Sequence, residues 1–306
     1  MLAVAVNALG ALQARFNGEL GVRLHNGLQA ALVSFVTGIA VLAVLVPALP
    51  VGRRGLVGIR TALRDGSLRW WECLGGLCGA LFVVSQAVTV DTLGVAVFTV
   101  AAVAGLSSSS LVVDRLGLGP GARQPLSWPR ITGAVLAVLA VLVAAWPRLS
   151  SPQTLALAVL PAVAGIAIAW QQAVNGRVRT AAGSALPATA VNFAVGLVGL
   201  STVFAADVAV RGWPTGSWPT QPWLYLSGLM GIVIIAVAAA VVRFTGVLLL
   251  GLGAVAGQLT GALAIDAVAP GAQLRPGPLT LAGVTLALLA VGIAALPTSV
   301  RGSAGV

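Results

Sequence analysis

The chain has 306 residues, of which 58% are hydrophobic and only 8% are charged, with a net charge of +10 and a mean hydropathy of +1.03. This composition excludes the soluble globular classes. All 17 basic residues are Arg and are scattered through short connections, a distribution that favours contact with lipid headgroups and argues against nucleic-acid binding.

Apolar runs long enough to cross a hydrocarbon core, ~20 residues each, recur along the whole chain. They predict an all-α polytopic membrane protein with ten transmembrane helices. The expected spans are 1–19, 28–48, 70–90, 94–113, 131–147, 154–174, 186–206, 223–242, 245–265 and 279–296. Met1 begins directly in apolar sequence, so a cleaved signal peptide is not expected. We expect either a native start a few codons upstream or an unusually short first span.

The sequence repeats internally. Residues 13–38 and 171–196 match at a constant offset of 158, and later Gly, Trp and Asp positions match at an offset of 152. The matches predict two five-helix repeats, residues 1–149 and 150–306. Because five is odd, the second repeat is inverted in the membrane, an arrangement typical of secondary transporters.

The distribution of charge predicts the orientation. Five Arg residues lie in the connection between spans two and three, and three lie between spans four and five, whereas the equivalent connections of the second repeat carry only Arg211 and Arg275. The positive-inside rule then places both termini in the cytoplasm. Seven Trp residues near span ends fit interfacial anchors. They are Trp70, Trp71, Trp128, Trp146, Trp213, Trp218 and Trp223.

Polar side chains within spans are the candidate substrate-binding residues, because such groups usually face a bundle interior or a water-filled path. Gln13 and Asn17 lie four residues apart on one helix face, and Gln171 and Asn175 repeat them in the second half. At the interface of inverted repeats these residues could line a pathway, or they could brace neighbouring helices through hydrogen bonds.

Three further residues complete the candidate site. Trp170 could stack on an aromatic or cationic substrate or serve in packing, and Leu12 takes its place in the first repeat. Thr99 on span four and Gln258 on span nine are the next candidate wall of the pathway. The four-residue spacing of Gly253, Gly257 and Gly261 predicts close helix packing.

The ionisable residues provide weaker candidates for a binding site than the amides do. Glu19, four residues before Arg23, is interpreted as a solvated ion pair, with proton or cation binding as the sharper alternative. Asp114 and Asp266 are expected to serve at helix ends. Cys73 and Cys78 are interpreted as packing residues, and no metal or cofactor is expected.

These motifs together resemble a known family. The Gln-x-x-x-Asn-Gly motif is followed by Ala-Ala-x-x-Ser-Phe-x-x-Gly (30–38), by Leu-Gly-Val-Ala-x-Phe (93–98) and by Leu-x-x-Asp-x-x-Gly (111–117). Over nearly the whole chain the pattern is similar to the YdcZ-type branch of the drug/metabolite transporter superfamily. The resemblance implies an inner-membrane carrier with alternating access and a central cavity. It also implies kinship with small multidrug resistance proteins, whose first helix carries an essential Glu; here Gln13 falls near that position.

The resulting hypothesis is a secondary transporter, an exporter of a small organic solute across the bacterial cytoplasmic membrane, with a monomer or homodimer as its assembly. The expected partners are the substrate and the lipid bilayer. A non-transporting membrane partner or lipid-handling subunit is the alternative. A membrane enzyme is not expected, because the spans lack a set of metal ligands or a nucleophile with its base.

Overall fold

The computed structural model describes residues 2–145, 157–268 and 278–296, and these residues form helices and turns without a strand. The helices are α1 (Leu2–Leu24), α2 (Gly27–Ala48), α3 (Pro50–Arg64), α4 (Gly75–Leu116), α5 (Trp128–Ala145), α6 (Val159–Ala182), α7 (Ala185–Arg211), α8 (Ser227–Val268) and α9 (Pro278–Ala294). The all-α fold predicted from the sequence is confirmed.

Length and hydropathy identify four stretches of the described residues that can cross a bilayer. They are Gly27–Ala48, Trp70–Thr89, Ala185–Arg211 and Pro222–Ile265. Helix α1 is not among them, although it has 23 residues.

The two repeats have the same local structure. Helices α4 and α8 each have 42 residues, and their bounds differ by the same offset of 152 that relates their sequences. Each follows a five-residue 3₁₀ turn, Trp70–Leu74 in the first repeat and Pro222–Leu226 in the second, again at that offset. The sequence repeat is therefore a structural repeat.

Helix α8 consists of two spans that reverse direction. As a straight helix at ~1.5 Å per residue it would separate Gly231 from Gly261 by ~45 Å. Both glycines instead pack on α1, where their neighbours Gln13 and Ala8 are separated by ~8 Å of helix. The break lies at Gly246, whose φ of 73° and ψ of 174° are non-helical. Glycine adopts this backbone conformation without a Cβ clash.

The same argument divides α4. Gly79 packs on Gln171 and Gly105 on Ala162. A straight α4 would place these glycines ~39 Å apart, whereas their neighbours lie ~14 Å apart along α6. The chain therefore reverses between Gly79 and Gly105, and α4 contains the third and fourth predicted spans.

The principal helix contacts join one repeat to the other. Helix α1 packs along α8, α6 along α4, α2 against α7, and α5 against α9. Gly105 lies so close to the carbonyl oxygen of Ala162 that a Cβ would overlap it, and Gly257 has the same relation to the carbonyl oxygen of Val4. The close packing predicted from the small residues is confirmed, and neither repeat can form this core alone.

A pseudo-two-fold axis passes between Phe35 and Phe193. Their ring centroids lie 5.3 Å apart. The Phe193 ring fills the space beside Gly38, and the Phe35 ring fills the space beside Gly196. This reciprocal contact lies where α2 packs against α7.

Helices α1 and α6 extend past the predicted ends of their spans, residues 19 and 174. Their polar C-terminal turns are helical although they are not apolar. Each helix ends at a left-handed residue, His25 (φ 54°) after α1 and Gly183 (φ 66°) after α6. Hydropathy alone marks the end of the apolar run, which is not the end of the helix.

Helix α3 was not predicted, because its sequence was interpreted only as a connection. It buries Gly52, Gly55, Ile59 and Ala62, and Gly55 packs against Pro187 at the turn that joins α6 to α7. In the second repeat, residues 212–221 form no helix and lie over the end of α1, where the Ser217 amide donates to the Arg23 carbonyl at 3.2 Å.

The aromatic residues expected at the membrane boundary are largely exposed. Trp70, Trp128, Trp213, Trp218 and Trp223 each expose about half or more of their surface. Trp71 is half-buried. Exposed indole rings at helix ends fit an interfacial belt. Trp146 lies outside the described residues.

Candidate functional site

The four amide residues form two clusters, one around the amides of each repeat. In the first, Gln13 Nε2 donates to the Ser227 carbonyl at 3.0 Å, and Asn17 Oδ1 accepts from Ser34 Oγ at 2.5 Å. The hydroxyls of Ser34 and Ser227 lie 2.6 Å apart. We call these four residues the first amide cluster; it joins α1 and α2 to the start of α8.

The second amide cluster consists of Gln171, Asn175 and Asn192. Gln171 Nε2 and Asn175 Nδ2 both donate to Asn192 Oδ1, at 2.9 and 3.0 Å. The relative exposure of the three residues is 4%, 7% and 3%. They lie where α6 and α7 meet Gly75 and Gly79 of α4.

The two clusters differ in side-chain size at two equivalent positions: one position is larger in the second cluster, and the other is larger in the first. Ser34 and Asn192 are equivalent by the 158 offset, and Ser227 and Gly75 are equivalent by the 152 offset. The second cluster combines the longer Asn192 with Gly75, and a Cβ on Gly75 would lie 2.6 Å from Asn175 Oδ1. The first cluster combines the shorter Ser34 with Ser227, which supplies a second hydroxyl.

The clusters also differ in accessibility. Gln13 and Asn17 are half-buried, and the adjacent Gly18 is exposed, with no atom of another element within 4 Å of a Cβ placed on it. The equivalent Gly176 is buried, and its Cβ would lie 2.5 Å from Val242 Cγ1 and 2.7 Å from Pro120 Cγ. The first cluster is accessible from one side, whereas the second is covered.

Gln258 lies beside the first cluster. Its side chain passes 3.4 Å from a Cβ placed on Gly10, which precedes Gln13 by about one turn of α1. Gln258 itself is exposed, so its amide adds a polar group to the accessible side. Thr99 is half-buried on α4 and already engages another group. No contact described places it in either cluster.

Trp170 stacks on Trp71, with ring centroids 6.0 Å apart and an angle of 24° between the planes. The stack joins α6 to the turn before α4, which is a packing role. Leu12 and Trp223 occupy the equivalent pair of positions, and Trp223 is about half exposed. The aromatic contact therefore has no aromatic counterpart at the equivalent pair.

Two carboxylates singled out in the sequence, Glu19 and Asp114, have structural partners. Glu19 forms an ion pair with Arg23 at 2.7 Å, with both side chains 40% exposed, as expected for a solvated pair. Asp114 forms a buried pair with Arg130 and accepts from the amides of Val247 and Leu248 at 2.7 and 3.0 Å. It thus caps the helix that restarts after the Gly246 break. The helix-end role predicted for Asp114 is confirmed; the Asp266 side chain lies outside the described residues.

One buried carboxylate was missed by the sequence analysis. Glu72 is 2% exposed, accepts from the Arg69 amide at 2.6 Å and forms an ion pair with Arg177. Arg177 and Thr180 also line a cavity of about 270 Å³, together with Ser67 and Pro120.

The described residues contain no group of three His, Cys, Asp or Glu side chains placed to hold a metal ion. Cys73 and Cys78 are free and half-buried. The two amide clusters provide neutral hydrogen-bond donors and acceptors at the junction of two inverted repeats.

A sequence model of the drug/metabolite transporter type, described as "Putative inner membrane exporter, YdcZ", matches residues 1–143 and again residues 156–294. The chain belongs to the YdcZ-type exporter family. The two matches correspond to the two structural repeats, so this YdcZ-type protein carries two copies of the family unit, as the resemblance implied.

A solved structure titled "Crystal structure of protein" is similar to the YdcZ-type chain with a TM-score of 0.60 and 18% sequence identity. The alignment covers 96% of this chain and 93% of the solved one, so it shows a common fold over the full length. A comparison with curated proteins finds no match.

Proposed function

We propose that this YdcZ-type protein is a secondary transporter that exports a small organic solute across the cytoplasmic membrane by alternating access. The observation that carries the proposal is the pair of equivalent amide clusters in different states. Inverted repeats that pack on each other can exchange their conformations, and the substrate site then becomes accessible from alternate sides.

The first amide cluster and Gln258 would form the substrate-binding surface in the conformation described. Gln13 and Asn17 are half-buried and Gln258 is exposed, so their amide donors and acceptors are not fully covered by other parts of the protein. Neutral amides suit a solute recognised by hydrogen bonds more than a bare cation, which a carboxylate would bind more strongly. Gln171 and Asn175 would take up this role when the second repeat adopts the accessible state.

The arginine distribution supports an orientation with both termini in the cytoplasm. In that orientation, Gly176 lies at the cytoplasmic end of α6 and is covered by Pro120 and Val242, while Gly18 lies at the exterior end of α1 with no other element against it. The proposed conformation is therefore outward-facing.

The proposal is tested with purified protein by a thermal-shift screen across metabolites and quaternary cations, followed by flux of each hit in proteoliposomes. A bound ligand stabilises the native state by mass action, by ~2.7 kcal/mol at a hundred times the dissociation constant. Asn17→Ala should remove most of that stabilisation and of the flux.

Thr202→Ala is the matched control, because Thr202 is polar, part of α7 and bonded only to the Val198 carbonyl of its own helix, at 2.9 Å. It should respond to ligand like the wild type. A ligand that stabilises Asn17→Ala as strongly as the wild type contradicts the site. Absence of flux for every hit, with a partner protein recovered in stoichiometric amount, would instead support a non-transporting role.

A further inference from the structure

Helix α3 presents three distinct faces around its axis. Its buried face, which includes Gly55 and Ile59, packs on the protein. Beside it, Leu56 and Leu63 are seven residues apart on one side and expose 43% and 38% of their surface.

The third face is an arginine stripe formed by Arg53, Arg60 and Arg64. These residues follow at intervals of seven and four, which places them on one line along the helix, and all three are exposed. The stripe adjoins the exposed leucines on the side away from the protein. Helix α3 is therefore amphipathic even after its contacts with the protein are made.

The arginine stripe has no carboxylate partner among the described residues. The ion pairs found there use Arg23, Arg130, Arg177 and Arg211 instead. Arg53 donates to the Pro47 carbonyl at 3.0 Å, which leaves its charge uncompensated.

Helix α3 lies at the membrane boundary at both of its ends. It begins immediately after the spanning helix α2, and soon after its end comes Trp70, which is 72% exposed at the start of the next span. An apolar strip beside a basic stripe in the plane of the interface fits acyl chains on one side and phosphate groups on the other.

We propose that the arginine stripe of α3 binds the headgroups of anionic phospholipids. The occupant is a membrane lipid and not a free anion, because Leu56 and Leu63 provide an apolar strip that only an acyl chain would cover. Bound lipid would also hold α3 against the α6–α7 turn, where Gly58 lies close to the Ala181 carbonyl. This inference does not depend on the proposed transport activity.

The test titrates the full-length protein in neutral detergent with phosphatidylglycerol, with phosphatidylcholine and with inorganic phosphate, and follows the unfolding temperature. The wild type should be stabilised by phosphatidylglycerol alone, and the midpoint should move to higher lipid concentration as salt is added. Each Arg near a headgroup contributes about a fivefold gain in affinity. The variant Arg53→Gln/Arg60→Gln/Arg64→Gln should therefore bind about 100-fold more weakly.

The control is Arg15→Gln/Arg211→Gln, which removes two charges from exposed positions outside α3, on the side of the membrane that the arginine distribution places opposite α3. It should respond like the wild type. Arg60→Gln alone, which breaks no described contact, should move the midpoint about fivefold even if the triple variant is poorly folded. Equal midpoints for the α3 variants and the control, or equal stabilisation by phosphatidylcholine or phosphate, would overturn the proposal.

Discussion

The first and second amide clusters occupy equivalent positions in two copies of one structural unit, yet they are not in the same state. Gln171 and Asn175 are buried and share one acceptor, whereas Gln13 and Asn17 are half-buried beside an open glycine. Sequence equivalence therefore does not impose structural equivalence. Residues of the other repeat surround each amide, and they decide whether it is buried in a hydrogen bond between helices or left accessible.

The second cluster should be the more sensitive to loss of its acceptor. Asn192→Ala leaves two buried amide donors without a partner, which costs about 2–4 kcal/mol of unfolding free energy. Ser34→Ala, the equivalent change in the first cluster, should cost about 1–2 kcal/mol: the buried Ser227 hydroxyl also loses its partner, but Asn17 is partly exposed and can be solvated. Denaturant unfolding in detergent measures both; equal losses would contradict the difference between the clusters.

The two equivalent glycines provide the next comparison. In Gly176→Ala the new methyl meets Val242 and Pro120, so the helices must shift, at a cost of about 1–3 kcal/mol. In Gly18→Ala the methyl meets open space, and helix propensity should stabilise α1 by up to ~1 kcal/mol. Thermal unfolding of both variants tests whether their stability changes have opposite signs. A loss of stability in Gly18→Ala would show that other atoms pack beside Gly18.

The exchange of volume between the clusters can be tested by transplantation. Ser34→Asn alone should overpack the first cluster against Ser227 and cost about 1–2 kcal/mol. Adding Ser227→Gly should recover most of that loss, because it recreates the combination of Asn192 with Gly75 found at the second amide cluster. A double-mutant cycle gives the coupling energy. Strict additivity would mean that the two positions do not share space.

The smallest expected effect concerns the ends of α1 and α6. His25 holds a left-handed conformation that glycine adopts more readily, as Gly183 does in the second repeat. His25→Gly should therefore stabilise the protein by up to ~1 kcal/mol, and Gly183→Ala should destabilise it by a similar amount. The unfolding temperatures of the two variants test both expectations. A lower unfolding temperature for His25→Gly would show that the imidazole makes a stabilising contact.

Much of the architecture followed from the sequence because membrane helices obey strong local rules. The offsets of 158 and 152 that relate Asn17 to Asn175 and Gly79 to Gly231 also relate their environments in the structure. Helix α3 was missed because its apolar residues are few and its glycines, Gly52 and Gly55, are poor helix formers. The glycines serve instead to bring α3 against the other repeat.

The candidate site was predicted as residue types and positions, without its arrangement. The Gln–Asn spacing identified one face of α1 and one of α6, and it left open whether these faces bind a solute or brace a helix. Asn192 accepts hydrogen bonds from both Gln171 and Asn175. This arrangement depends on how α7 packs against α6, and a local sequence pattern does not predict that packing. The Glu72–Arg177 pair likewise joins residues of different repeats.

The sequence by itself determined the membrane class, the number of spans, the two repeats and the equivalence of Asn17 with Asn175, because burial in lipid and backbone hydrogen bonding constrain each segment separately. Only the tertiary structure decided which glycine is covered, Gly176 or Gly18, and therefore which cluster is accessible. The reason is physical: accessibility is a property of contacts between distant segments, and two identical segments can meet different neighbours.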